Sequence, residues 1–128
     1  MKAGTLAFVA TCLLATAACQ TTTVRGPEDK RLAATTPIAL VIHRGESTPL
    51  EVEIDREKFT GPVTVSVSQL PKGVEVDRAS QKTETSTATF SLTATKNADL
   101  VAEQPLGVIV EGMDGRRLTQ FVALTVKN

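Results

Sequence analysis

A chain of 128 residues, with an N-terminal leader to set aside, has room for one domain of modest core, which excludes a two-domain reading. Lysine plus arginine and aspartate plus glutamate both number 14, so no global field draws the chain toward nucleic acid. There is no Trp, no Tyr and only four Phe, which removes the flat stacking platforms that sugars and bases require.

Met1 and Lys2 precede an uncharged stretch that is mostly apolar or small from Ala3 to Cys19. A basic start, a hydrophobic run and then small residues predict a signal peptide over residues 1–18. An uncleaved membrane helix would need about 20 consecutive apolar residues. Gln20, Thr21, Thr22 and Thr23 end the run before that length is reached.

No cysteine follows Cys19, and the segment TAAC, Thr16 to Cys19, resembles the lipobox of bacterial lipoproteins. In that family small residues precede a cysteine that is diacylated on sulfur and becomes the new N-terminus; Thr16 stands here where the family usually has Leu. The resemblance implies lipidation at Cys19 and attachment to a membrane. Gln20 is not the Asp that retains such proteins on the inner membrane, which implies the bacterial outer membrane. Cys12 is no rival, because the hydrophobic run before it is short and Thr11 is a poor residue at a cut. The alternative is an ordinary secretory cut after Ala17, with Ala15 and Ala17 as the small pair, giving a secreted or periplasmic protein. Its single thiol would then face an oxidising compartment, where it invites pairing between molecules.

From Cys19 the chain reads QTTTVRGPEDKRLAATTP, with no apolar period, a Gly-Pro break and a mixed charge run at Glu28, Asp29, Lys30 and Arg31. Residues 19–35 are therefore expected to form a lipidated N-terminus and flexible tether. Such a tether would have a root-mean-square span of about 20–25 Å, enough to lift a domain clear of lipid headgroups.

The period becomes two from Thr36 onward. Ile38, Leu40 and Ile42 alternate, as do Leu50, Val52 and Ile54, and then Val63, Val65 and Val67. Val74 and Val76 follow LPKG; Ala88, Phe90, Leu92 and Ala94 make a fifth run; Leu106, Val108 and Val110 a sixth; Val122, Leu124 and Val126 the last. Breakers separate them at Gly45, Gly61–Pro62, Pro71–Gly73, Pro105 and the hairpin signal Asp114–Gly115. The one helix-compatible stretch is Asn97 to Gln104. Leu40, Val52, Ile54, Val65, Val67, Phe90, Leu92, Val108, Val110, Val122 and Leu124 are expected to face inward.

These elements predict an all-β domain over residues 36–128, a seven-stranded antiparallel Ig-like β-sandwich. The stretch IHRGESTPLEVEIDREKFTGPVTVSVSQLPKGVEV, Ile42 to Val76, resembles the repeats of bacterial extracellular Ig-like domains. In those repeats an R-G element precedes a strand, an F-x-G-x-V element starts the third strand and L-P-x-G-V follows. Leu106 stands where such domains commonly have an aromatic.

No catalytic residue is expected. His43 is a lone histidine at a strand end, and there is no G-x-S-x-G turn, Cys/His metal spacing or phosphate-binding glycine loop. Glu53, Asp55, Glu111 and Asp114 lack the density of a dedicated calcium loop and read as solvated strand edges, so neither a metal nor another cofactor is expected. The expected partners are a membrane, reached through the lipid anchor, and an envelope or extracellular protein, with no nucleic acid. The chain is thus read as a non-enzymatic binding or structural module of the cell envelope. Its alternative is an assembly or pilot lipoprotein of an envelope or secretion complex. In an Ig-type trace the loops Asp55–Gly61 and Gly112–Arg117 would lie beside the tether, leaving RGES, LPKG and the Lys96–Gln104 segment at the far end. Arg44, Glu46, Lys72, Lys96 and Asp99 are the candidate partner-binding residues there.

Overall fold

The computed structural model describes residues 18–26, 30–57, 61–113 and 115–128. The leader up to residue 17, the Pro27–Asp29 part of the charge run, residues 58–60 and Asp114 lie outside the described residues. Ten strands form two five-stranded sheets: β1 (Cys19–Arg25), β2 (Arg31–Pro37), β3 (Ala39–His43), β4 (Ser47–Glu57), β5 (Val63–Ser68), β6 (Val74–Val76), β7 (Ser80–Thr83), β8 (Thr87–Ala94), β9 (Val101–Gly112) and β10 (Arg117–Lys127). The first sheet runs β1-β2-β4-β8-β6 and the second β3-β10-β9-β5-β7. All neighbours are antiparallel except β3, which runs parallel to β10 with Ala39 beside Ala123 and His43 beside Lys127.

The alternating aliphatics of the sequence become the interlayer core. Phe90, Leu50, Leu92, Leu106 and Leu124 are fully buried, and Val52, Val65, Val108, Val110 and Val122 fill the space between them. Leu50 and Phe90 are cross-strand partners on β4 and β8, where directly opposed side chains gain most from packing. Leu40 lies partly buried at the margin of this core, and Ile38 is 43% exposed, at the bend where the chain leaves the first sheet for the second.

Three differences from the sequence reading matter. There are ten strands, not seven, because β1, β2 and β7 are strands that hydrophobic alternation does not announce. Residues 97–104 hold no helix: Lys96 and Asn97 turn, and Val101–Gln104 already belong to β9, where Glu103 takes a φ of +52°.

The third difference concerns residues 19–35, which do not behave as a spacer. β1 and β2 pair in register from Cys19 opposite Pro37 to Arg25 opposite Arg31, and β2 then pairs with β4. The period of two is present in β1 but is written in polar residues. Gln20, Thr22 and Val24 are the half-buried set, while Thr21, Thr23 and Arg25 are exposed. Inward-facing Gln and Thr are tolerated because a polar partner meets them. Gln120 of β10, only 5% exposed, donates from Nε2 to the Gln20 carbonyl at 2.8 Å and accepts a hydrogen bond from Thr22 Oγ1. The Gln20 amide in turn donates to Thr36 Oγ1 at 3.2 Å and to the Phe121 carbonyl. A buried polar group is stable only with its bonds made, and this pair of glutamines makes them across the two sheets.

Candidate functional site

Two places answer to the functional expectations: the start of β1 and one end of the sandwich. Cys19 opens β1, and its sulfur is engaged in a disulfide. The sequence contains one other cysteine, Cys12, which lies outside the described residues. Ile38 donates its backbone N–H to the Ala18 carbonyl at 2.9 Å, and Ala123 donates to the Ile38 carbonyl at 2.8 Å. The chain therefore enters the fold on the flank, at the seam between the sheets and about midway along β10. This corrects the expected placement beside Asp55–Gly61 and Gly112–Arg117. What lies at that end is the β1–β2 turn: Arg31 pairs with Glu57 through a 2.8 Å ion pair, and a Cβ on Gly26 would collide with the Arg116 guanidinium.

The opposite end gathers all five candidate partner-binding residues. Gly45, with a φ of +83°, makes the turn after β3, donating its N–H to the Ala94 carbonyl at 2.7 Å, while Ala94 donates to the Glu46 carbonyl at 3.0 Å. Arg44 Nε donates to the Ala98 carbonyl at 2.8 Å. Asp99 donates its backbone N–H to the Lys72 carbonyl at 2.9 Å, and Thr95 donates to the Gly73 carbonyl at the same distance. Gly73 is required where it stands: its φ is +87°, and a Cβ there would come within 2.4 Å of Ala98 Cα. The side chains divide accordingly. Arg44 is half-buried and committed to holding the loops together, whereas Glu46, Lys72, Lys96 and Asp99 are exposed.

The suspected carboxylates do not converge. Glu53 and Asp55 lie on β4 in the first sheet, whereas Glu111 lies on β9 in the second, where it faces Arg117 at 4.0 Å. Burial first, and then the neighbouring Glu51 charge, raise the Glu53 pKa. The Asp77 pKa is lowered, chiefly by the Ser91 backbone N–H at 3.0 Å, and the Arg78 N–H at 2.9 Å adds to the effect. Among the described residues no three Asp, Glu, His or Cys side chains come together in a way that could hold a metal ion. His43 is exposed at the end of β3, with Nδ1 at 3.4 Å from the Asn128 carbonyl.

The two outer faces differ in chemistry. β4 carries Glu51, Glu53, Asp55 and Glu57 on the outer side of the first sheet, alternating with buried Leu50, Val52 and Ile54. The outer side of the second sheet is uncharged across its middle. Phe121 (52% exposed) and Val41 (49%) stand out there, beside Ala39, Pro105 and half-buried Ile109. Gly107 lies opposite Phe121, and a Cβ there would touch the ring at an ordinary 3.8 Å but come within 2.6 Å of Ser68 Oγ on β5. Sequence reading missed this apolar face; its signal was the Phe121–Ala123 alternation on the side of β10 away from the core. No protein-family model matches the chain, and no curated protein matches it significantly.

Proposed function

We propose that the chain is a lipid-anchored protein of the envelope of a diderm bacterium, acylated at Cys19, whose Ig-like sandwich serves as a non-enzymatic binding or structural module. The observation that carries this reading is a coincidence of boundaries: the apolar leader ends in TAAC, and β1 starts on the cysteine of that motif. A cut before Cys19 leaves the whole of β1 in the mature domain. The same cut removes Cys12 with the leader.

The Ig-like assignment is favoured by strand order. β2-β4-β8-β6 and β10-β9-β5 follow the A-B-E-D and G-F-C orders of that fold, with β1, β3 and β7 as additions. A sandwich of this kind presents loops at its two ends. The turns bearing Glu46, Lys72, Lys96 and Asp99 are the partner-contacting end in this reading, because exposed charges of both signs stand there on loops fixed by backbone hydrogen bonds.

The test is fractionation of cells producing the full chain. Several acyl chains exceed the two-signal requirement for stable anchoring, so the protein should sediment with outer membranes. Cys19→Ala should release it and Cys12→Ala should not. Retention of the Cys19→Ala chain in the membrane fraction would refute acylation as the anchor.

A further inference from the structure

We propose that β3 is a docking edge for a second copy of the chain, which pairs with it antiparallel and joins the two second sheets about a two-fold axis at Val41. Acylation at Cys19 plays no part in this inference. Each sheet ends in two edge strands, β1 and β6 in the first, β3 and β7 in the second. An open edge invites pairing unless charge, proline or shortness blocks it. β1 carries Arg25, β6 is three residues long with Glu75 at its centre, and β7 is four residues long with Lys82. Where β2 leaves the Ser47–Val52 part of β4 unpaired, Pro49 and Glu51 stand. The ALVIH segment of β3 has none of these devices, holding no Lys, Arg, Asp, Glu or Pro. Among the described residues β10 lies on one side of it and no strand on the other.

Two backbone bonds bracket the β3–β10 ladder: Ala123 donates to the Ile38 carbonyl and Arg44 donates to the Lys127 carbonyl, each at 2.8 Å. In a parallel ladder alternate residues turn both backbone groups to the same side, so Leu40 and Ile42 bond to β10, while Ala39, Val41 and His43 direct N–H and C=O outward. That spacing matches itself. With Val41 opposite Val41, Ala39 falls opposite His43 of the copy, and each outward group meets a partner in a hydrogen-bonded pair. The same register brings the copy's Arg44 turn to Ile38, so the exposed Val41 and Ile38 both gain cover. Charge selects the direction. His43, Arg44 and Lys127 gather at one end of the strand. Two-fold symmetry sets them against the uncharged Ile38–Ala39 end of the copy, whereas parallel pairing would set them against themselves. With no charge to recognise a foreign strand, β3 is matched by its own copy in length, apolar character and the positions of its outward groups.

The test measures self-association and edge protection together. The full chain is held in detergent micelles, which keep it in solution whether or not its leader has been removed, and is followed by sedimentation velocity over a range of concentrations. Amide hydrogen exchange is read residue by residue by NMR on the same samples. The expected result is a dimer in which the amides of Ala39, Val41 and His43 gain protection as concentration rises, while those of Leu40 and Ile42 are protected throughout. Val41→Lys should raise the dimer dissociation constant by about tenfold or more, because two ammonium groups would face each other at the axis. Val41→Thr keeps an uncharged β-branched side chain and should leave the constant nearly unchanged. Position 41 is exposed, and protection retained at Leu40 and Ile42 shows that the lysine variant is folded. A chain that stays monomeric at every concentration overturns the proposal. So does a dimer that Val41→Lys leaves intact, since it is then formed by the leader or another surface. Protection of Ala39, Val41 and His43 in the monomer overturns it in favour of the chain's own leader covering the edge.

Discussion

Beyond its pairing with β2, β1 is tied to the second sheet through Gln120, and truncation of that residue is the most direct perturbation. Gln120→Ala removes the donor to the Gln20 carbonyl and the acceptor of the Thr22 hydroxyl, both of which link β10 to β1 across the two sheets. Each hydrogen bond contributes about 0.5–1.5 kcal/mol net, so two together give about 1–3 kcal/mol. Gln20 and Thr22 are half-buried, and water reaching the orphaned carbonyl keeps the loss within that range instead of adding a full desolvation penalty. Thr119→Ala, one residue away and exposed on β10, should change stability by no more than about 0.5 kcal/mol. With no Trp or Tyr to report unfolding, urea titration followed by far-UV circular dichroism is the suitable assay. Amide hydrogen exchange should show the loss concentrated in Gln20–Val24, with β4 and β8 less affected. If residues 19–25 of the unsubstituted chain exchanged at the rate of an unstructured peptide, or if Gln120→Ala cost no more than Thr119→Ala, the strand would be a tether after all.

Two further outcomes test the core and the acidic face. Phe90, fully buried and opposed to Leu50, should cost about 3–5 kcal/mol on truncation to Ala, measured by the same titration; a loss under about 1 kcal/mol would refute the β4–β8 register. The Glu53 pKa is raised in the fold, so folding disfavours its carboxylate, and stability falls as pH rises from the ordinary glutamate value through the raised one. Glu53→Gln should therefore raise the thermal midpoint at pH 7, with the advantage vanishing below about pH 4, where both states are protonated. A stabilisation that persisted at pH 3 would show that the Glu53 charge is not its source.

How far the fold could be read depended on what each strand turns toward the core. β4, β5, β8, β9 and β10 alternate aliphatic and polar residues, and all announce themselves through Leu50, Val65, Phe90, Val108 and Val122. β1 alternates too, but with Gln20 and Thr22 as the inward residues, and no hydrophobic pattern can reveal a polar interface whose partner, Gln120, lies 98 to 100 positions away. β2 hides for another reason. Leu32 to Thr36 are all buried, because small residues between β1 and the long acidic side chains of β4 are covered on both faces, so the period of two disappears. β7 is short and polar, and is held by pairing with β5 and by the Arg56 guanidinium, which donates to the carbonyl of Thr83 at its end and of Thr85 just beyond it. The loop cluster of Arg44, Glu46, Lys72, Lys96 and Asp99 was legible because turns at Gly45 and Gly73 must fall at one end of strands of this length and order.

The fold leaves two chemically distinct surfaces open to contact. The loops at Glu46, Lys72, Lys96 and Asp99 carry both signs of charge, while β4 presents Glu51, Glu53, Asp55 and Glu57 in one row. Reversal of charge at Lys72 and Lys96 alters the loop end alone, and reversal at Glu51 and Asp55 alters the β4 face alone. A partner whose binding fell with the first pair and not with the second would meet the loops; the opposite pattern would put it on the acidic row, so the two contacts can be perturbed one at a time.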